Sequence, residues 1–494
     1  MKRLNAEVLA ALSDGEHAVT LPKYDRTNTQ AGILHLGIGA FHRAHQAYYT
    51  EAVLNTQGGN WGIIGASLRS AGVKNQLAPQ DGLYTLVVKG PEGEQYQMMG
   101  VCDSVLVGPE DPAALIALMS QDAIKIVSMT VTEKGYCHDP ATGDLNFAHP
   151  DIVHDLENLA SPRSAIGYLV AALAARRDAG VKSFTALSCD NLPNNGRVLE
   201  KVVNQFAARV DEGLADWIGA NTTFPCTMID RIVPATTDAD REALESTLGY
   251  RDEGMVVAEP FTQWVIEDTF CNDRPDWAAA GATFTNEVEV FEKMKLRLLN
   301  GSHSTLAYCG YLAGYETISE VMTDKAFVNM ITTFMDREAG ETVTTPEGFD
   351  IQHYKQELRD RFANPGLKHR TWQIAMDGSQ KLPQRLLETL REQLEGPGHI
   401  DILCLAVAAW IRYVSGVDES GSAIDVQDPL VARLQEVHSA HQGDVPAIVR
   451  GIVGMTEVFG ADLVENDAFV EGVTRWLSAF YAEGVKGTLH RQFG

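Results

Sequence analysis

Residues 32–54, GILHLGIGAFHRAHQAYYTEAVL, run from an apolar stretch through Gly37-Ile38-Gly39 into a segment with helical spacing. A strand that turns on glycine straight into a helix does not return by a hairpin. The following strand has to come back parallel, across that helix. The pattern recurs. WGIIGASL (61–68), AIKIVSMTV (123–131) and SFTALSCDN (183–191) read as further strands, and AIGYLVAALAARRDAG (165–180) as a helix ending at Gly180 just before the last of them. The alternation predicts a parallel, doubly wound sheet. Near residue 290 the spacing changes. VFEKMKLRLLNGSHSTLAYCGYLAGY, TDKAFVNMITTFMDREA, LPQRLLETLREQLEG and ILCLAVAAWIRYV all carry helical spacing, and strand-like runs become scarce.

The chain of 494 residues is long enough for two or three domains with large cores. Its formal charge of −26 argues against nucleic acid and against an anionic membrane as partner. An anionic substrate would therefore need a local basic pocket. The seven cysteines stand apart with no Cys-x-x-Cys pair, which reads as reduced thiols in a cytoplasmic protein and not as a closed zinc site. The first residues do not form a signal peptide, and no apolar run reaches the roughly 18 residues of a membrane span.

Gly37 and Gly39 stand where a dinucleotide turn needs them, the first for the tight bend and the second for close approach of a pyrophosphate to the helix N-terminus. His42 occupies the usual third glycine position. The fold class is then an α/β Rossmann-type N-terminal domain, residues 1–286, followed by a mostly α-helical domain, residues 287–494. The second strand ends in Leu68-Arg69-Ser70-Ala71-Gly72, with no acid for a ribose 2′-hydroxyl. Arg69 is available to a 2′-phosphate instead, so the residues leave both NAD and NADP open.

KLRLLNGSH (295–303) places a Lys, an Asn, a Gly and a His in a run otherwise rich in Leu. On a straight helix at 100° per residue, Glu292, Lys295, Asn300 and His303 share one arc of about 140°. Reduction of a ketone needs a proton donor and hydrogen-bond donors around the developing alkoxide. Lys295 serves as acid/base if burial lowers its pKa, Asn300 offers a neutral donor, and His303 can orient a hydroxyl. A solvated helix face accounts for the spacing equally well. Other dehydrogenase chemistries find no residues here. No Tyr is followed by Lys four residues later, and the close His pair His42 and His45 lies on the dinucleotide helix, so no metal is expected. Asn191, in SCDNLPNNG (188–196), falls at the strand edge where such sheets bind ligands, although it also fits a plain loop. Asp230-Arg231 is a further candidate, although adjacent acid and base are more often structural.

Taken together, LGIGAFHRAHQA, VTEKGYC, SCDNLPNNG, CTMIDRIVP, EPFTQWVIED and MKLRLLNGSHS resemble the polyol-specific long-chain dehydrogenases, the mannitol dehydrogenase family, from about residue 30 to beyond 420. The resemblance implies a metal-independent nicotinamide oxidoreductase. It implies that Lys295 is the acid/base, that Asn191 and Asn300 bind the oxyanion, that His303 orients substrate, and that Glu292 relays a proton. Asp230 is expected in the substrate site, and Gly37, Gly39, Phe41, His42, Arg43 and Arg69 around the cofactor. The acidic pair that mannitol dehydrogenases carry after Ser70 is replaced by Ala71-Gly72.

For the substrate, NPGLKHRTWQIAMDGSQKLPQRLL (364–387) is more similar to fructuronate reductases, and Gln373 stands where mannitol dehydrogenases have Arg. Arg370 with Lys381 is the expected grip on the C1 carboxylate of a hexuronate, because a bidentate Arg suits a carboxylate best; a surface basic cluster is the alternative. The expected activity is NAD-linked interconversion of D-fructuronate and D-mannonate, with mannitol 2-dehydrogenase or a related polyol activity as the second reading. A non-catalytic redox sensor would have lost Lys295 or an Asn, and all are present. The expected partner is a small sugar acid or polyol, in a monomer or small homo-oligomer.

Overall fold

The computed structural model describes residues 2–13, 17–139 and 142–494. The chain forms two compact units, Met1–Glu289 and Val290–Gly494.

At the centre of the first unit lie five parallel strands: β1 (Ala31–Leu36), β2 (Gly62–Ser67), β3 (Cys102–Val107), β4 (Ile126–Met129) and β5 (Thr185–Ser188), in the order β3-β2-β1-β4-β5. Leu34 of β1 stands opposite Ile64 on one side and Val127 on the other. Successive side chains point to opposite faces, and both faces are apolar. Leu34, Leu36, Ile64, Val127 and Met129 enter one core, while Ile33, Ile63, Ile126 and Leu187 enter the other. The strand order reverses between β1 and β4, which is where sheets of this kind bind ligands beyond the strand ends.

The expected strands thus form, a little shorter than read. β3 was not expected, because CDSVLV lacks a clear apolar run. The first unit also holds strands that the β-α-β rhythm does not forecast. Tyr84–Gly90 and Gly93–Met99 pair antiparallel across a two-residue loop, and Thr227–Asp230 pairs antiparallel with Gln263–Ile266. The helix after the glycine turn is broken. Helix α1 (Ala40–Ala44) stops at His45, whose φ of −123° and ψ of −88° are not helical, and α2 (Gln46–Gln57) resumes. Helix α3 (Ala165–Ala179) is framed as its sequence indicates: the Ser164 hydroxyl accepts from the Gly167 N–H at 2.9 Å, and Gly180 ends it at φ +66°.

The second unit is largely helical. Its helices include α4 (Gly301–Leu312), α5 (Ile351–Phe362), α6 (Gly378–Leu382), α7 (Asp401–Val414) and α8 (Asp467–Phe493). Nearly all of α7 is buried. Its first turn is capped from a distance: Glu338 accepts from the Ile402 and Leu403 N–H groups at 2.7 Å each. Burial pushes the Glu338 carboxyl up to about 7. Among the described residues, no helix is long and apolar enough to cross a membrane.

Three segments of this unit are π-helical: Lys295–Asn300, Phe334–Ala339 and Pro383–Leu387. The last begins on Pro383, which lacks the N–H that a regular turn would use. All three meet at Gly301. A Cβ there would stand 2.9 Å from the Arg385 carbonyl and 3.2 Å from the Phe334 ring. Gly301 is helical at φ −62°, so the glycine is needed for space and not for conformation.

Candidate active site

In the first unit, the chemistry of the dinucleotide turn is visible in two glycines. Gly37 sits at φ +93°, and an added Cβ would lie 2.1 Å from the Thr130 carbonyl at the end of β4. Gly39 begins α1, and a Cβ there would meet only the Gly37 carbonyl, at 3.9 Å. The space above Gly39 is therefore open to a pyrophosphate, and these residues fit the cofactor turn.

His42, in the place of the third glycine, packs flat on His35, ring centroids 3.5 Å apart at 18°. His35 is held by Ser128 Oγ at 2.8 Å and Thr130 Oγ1 at 2.9 Å, and burial lowers it to about 3. His42 is also held well below the imidazole range, by burial first and then by His35, Arg43 and His45. Two uncharged rings can stack where two cations would repel. Arg43 is buried and braces the fold, its guanidinium donating to the Gly39 carbonyl at 3.3 Å and to the Gly254 carbonyl. Phe41 stacks on His45 at 5.0 Å. Arg69 is exposed beyond the end of β2. Of the expected cofactor set, Gly37 and Gly39 shape the turn, whereas His42 and Arg43 are occupied in holding it.

Asn191 follows β5 and is exposed. The residue before it was not anticipated. Asp190 is buried and accepts from the Val131 N–H at 3.1 Å, the Thr132 N–H at 2.8 Å and the Tyr136 hydroxyl at 3.0 Å. It thereby ties the loop after β4 to the loop that carries Asn191. Thr132 is held at φ +64°, a strained position for a β-branched residue. Burial raises Asp190 to about 6. Asp230 is buried at the end of its strand, opposite Gln263. Its neighbour Arg231 is structural: it donates to the Ala44 carbonyl at 2.6 Å and to the Glu259 carbonyl at 2.9 and 3.1 Å.

In the second unit the π turn changes the expected geometry of KLRLLNGSH. The Gly301 N–H bonds to the Leu296 carbonyl, five residues back. Residues five apart are then brought nearer to one line than on a regular helix, and Asn300 is five residues from Lys295. The straight-helix angle of about 140° between them is accordingly too wide. Lys295 is 7% exposed, Asn300 6% and His303 6%, while Glu292 is half-buried. The solvated-face alternative is therefore excluded. The other cation of the run, Arg297, has a structural role, forming a bidentate pair with Glu392 at 2.6 and 2.7 Å.

Buried polar atoms at this site that lack a hydrogen-bond partner include Asn300 Nδ2, His303 Nε2 and His369 Nδ1. Leaving such groups unsatisfied costs about 1–3 kcal/mol each, and all of these are of a kind that a polar ligand could satisfy. The His303 ring lies on Phe362 at 5.1 Å and meets the edge of His369 at 4.8 Å. Burial first, then the charges of His369, Arg385, Arg361 and Lys381, hold His303 well below the ordinary imidazole range. Burial and Lys381 lower His369 to about 4. Both rings are neutral at pH 7.

The structure brings Lys381 to this cluster and leaves Arg370 out. Lys368 adopts φ +44°, and the backbone turn leaves Lys368 and Arg370 exposed while His369 faces inward. The Arg370 side chain is 65% exposed and lies 3.7 Å from Glu316. The expected pairing of Arg370 with Lys381 is thus corrected. The cations around His303 are Arg361, Lys381 and Arg385, of which Arg361 and Arg385 were missed because each sits in ordinary helical sequence. Elsewhere in this unit, a cleft of about 640 Å³ is lined by Arg337, Glu338, His399, Asp401 and Arg475, none of them part of this cluster. Among the described residues, no group of His, Cys, Asp and Glu is arranged to hold a metal ion.

Comparison with known proteins identifies the family. Residues 31–279 match the mannitol dehydrogenase Rossmann domain and residues 287–481 the mannitol dehydrogenase C-terminal domain. D-mannonate oxidoreductase of Escherichia coli (strain K12) is 46% identical over 94% of this chain and 96% of its own length. Mannitol 2-dehydrogenase of Aspergillus terreus is 37% identical over 99% of this chain and 98% of its own. The mannitol 2-dehydrogenase of Pseudomonas fluorescens, solved as a ternary complex with NAD and D-mannitol, superimposes with a TM-score of 0.90 at 38% identity, covering 99% of each chain. The chain belongs to the mannitol dehydrogenase family and is a nicotinamide-dependent oxidoreductase acting on CH–OH groups.

Proposed function

We propose that this enzyme interconverts D-fructuronate and D-mannonate with NAD as cofactor. The observation that carries the substrate is the cation cluster. Arg361, Lys381 and Arg385 gather around a neutral His303 in a chain whose net charge is −26. A field of that sign repels anions, and positive charges acting at His303 oppose it there, which supports an anionic substrate over a neutral polyol. The likeness to a D-mannonate oxidoreductase supports the same reading.

Bound NAD supplies the hydride acceptor. In the oxidative direction Lys295 Nζ takes the proton of the reacting hydroxyl, and in reduction it returns that proton to the alkoxide oxygen. Asn300 Nδ2 donates a hydrogen bond to that oxygen, and by the family pattern Asn191 is the second donor. Neutral His303 presents Nε2 to a neighbouring hydroxyl, and Glu292 passes the proton onward to water. Asp230 is retained as a substrate-site residue on the family pattern. A second reading, mannitol 2-dehydrogenase, is favoured by the full-length likeness to the Pseudomonas fluorescens enzyme.

NADH oxidation with fructuronate, tagaturonate and fructose, measured in parallel, tests the proposal. Fructuronate is expected to give the highest kcat/KM, and a preference for fructose would replace this reading with the second. The same assay with NADPH decides whether Arg69 admits a 2′-phosphate.

A further inference from the structure

The hexuronate reading needs a side chain that meets the carboxylate, and Arg370 is turned to solvent. Arg385 is seated against the helix that carries His303. Its Nη1 donates to Ser304 Oγ at 3.1 Å, and its carbonyl lies against Gly301. Both contacts are with the first turn of α4, the turn that carries His303.

The spacing along that helix suits a hexuronate. Ser304 follows Asn300 by four residues and lies on the same face, about 6 Å further along the helix. In fructuronate, numbered from its C1 carboxylate, the ketone carbon is C5, four carbon–carbon bonds away, and four such bonds of about 1.5 Å in zigzag span roughly 5 Å. A ketone oxygen bonded to Asn300 therefore allows the carboxylate to reach the level of Ser304, where the Arg385 guanidinium is anchored. A planar guanidinium can bind both carboxylate oxygens at once, which a lysine cannot.

We propose that Arg385, seated on Ser304, grips the substrate carboxylate and so selects a hexuronate over a neutral ketose. The proposal rests on the hexuronate reading above. It differs from that reading in naming one residue, on a different element from Arg370, as the discriminator.

The test is the ratio of kcat/KM for fructuronate to that for fructose, measured with NADH. Loss of a charge-assisted hydrogen bond predicts that Arg385→Gln lowers this ratio by about 10- to 100-fold, mainly through KM for fructuronate. Arg385→Lys is expected to fall between wild type and Arg385→Gln, since it keeps the charge without the fork. Equal losses on both substrates would overturn the proposal and leave Arg385 as a brace for α4. If Arg385→Gln does not fold, Ser304→Ala frees the guanidinium from its anchor and should lower the same ratio by a smaller factor; an unmoved ratio overturns the proposal. A wild-type enzyme that reduces fructose and not fructuronate overturns both the substrate reading and this inference. A wild-type preference for fructuronate that survives Arg385→Gln overturns this inference alone.

Discussion

Gly301→Ala tests whether the three π turns set the geometry of the reacting residues. The new Cβ would lie 2.9 Å from the Arg385 carbonyl, against 3.4 Å for ordinary contact, so the two segments must part by about half an ångström. The neighbouring Phe334 ring, at 3.2 Å, restricts the other direction. Overpacking of this kind costs about 1–3 kcal/mol. Alanine returns about 1 kcal/mol in helix propensity, because Gly301 already has helical dihedrals. The net loss of stability is then about 0–2 kcal/mol, readable by urea denaturation. The effect on turnover should be larger in proportion. Gly301 separates Asn300 from His303, and a displacement of about 1 Å costs roughly 100-fold, so half of that predicts a loss of about 10-fold in kcat. Gly487→Ala serves as control. It lies on an exposed stretch of α8 with only the Glu483 Cβ nearby, at 3.9 Å, and should gain up to about 1 kcal/mol with no change in rate. A Gly301→Ala enzyme as active as wild type and stabilised like the control would refute the idea that these turns meet tightly at Gly301.

Three other outcomes are expected. Lys295→Ala should lower kcat by about 100- to 10,000-fold while NADH affinity, followed by fluorescence titration, is kept; intact turnover would remove Lys295 from the acid/base role. Asp190→Asn leaves a single oxygen acceptor where a carboxylate received the Val131 and Thr132 N–H groups, at a cost of about 1–3 kcal/mol, and should weaken NADH binding measurably; unchanged thermal stability and affinity would show that the loop after β4 is held by other contacts. Glu338 holds its proton more tightly in the folded state, at about 7 against an ordinary 4.5. Its contribution is fully present below pH 4.5 and is lost as pH rises through 7, so the stability of wild type relative to Glu338→Gln should fall by about 3 kcal/mol from pH 4.5 to 8. A flat difference across that range in urea titrations would contradict the burial assigned to this carboxyl.

Much of the fold could be read directly. The glycine turn, the strand before it, the Gly180 end of α3 and the change to helices near residue 290 all follow from short-range patterns. So did the residue types gathered in KLRLLNGSH. The antiparallel strands lie outside the β-α-β rhythm, because Tyr84–Gly90 and Gly93–Met99 pair across a two-residue loop with no helix between them. Arg297 and Arg385 illustrate the limit at the site. Both are arginines in helical sequence, yet one is tied to Glu392 and the other to Ser304. Nothing within a few residues of either distinguishes them.

The amino-acid sequence by itself determined the alternation of β1, β2, β4 and β5 with helices, the glycine that favours φ +93° at residue 37, and the presence of a lysine, an asparagine and a histidine on one helical stretch. These are properties of neighbours along the chain, where backbone sterics and side-chain period act over a few residues. Tertiary structure alone decided which cations surround His303, why Arg370 is turned away, and that Asp190 joins two loops. Those outcomes depend on segments about 60 to 80 residues apart being pressed together, and on burial, which makes each unpaired polar atom costly and so chooses which side chain faces inward.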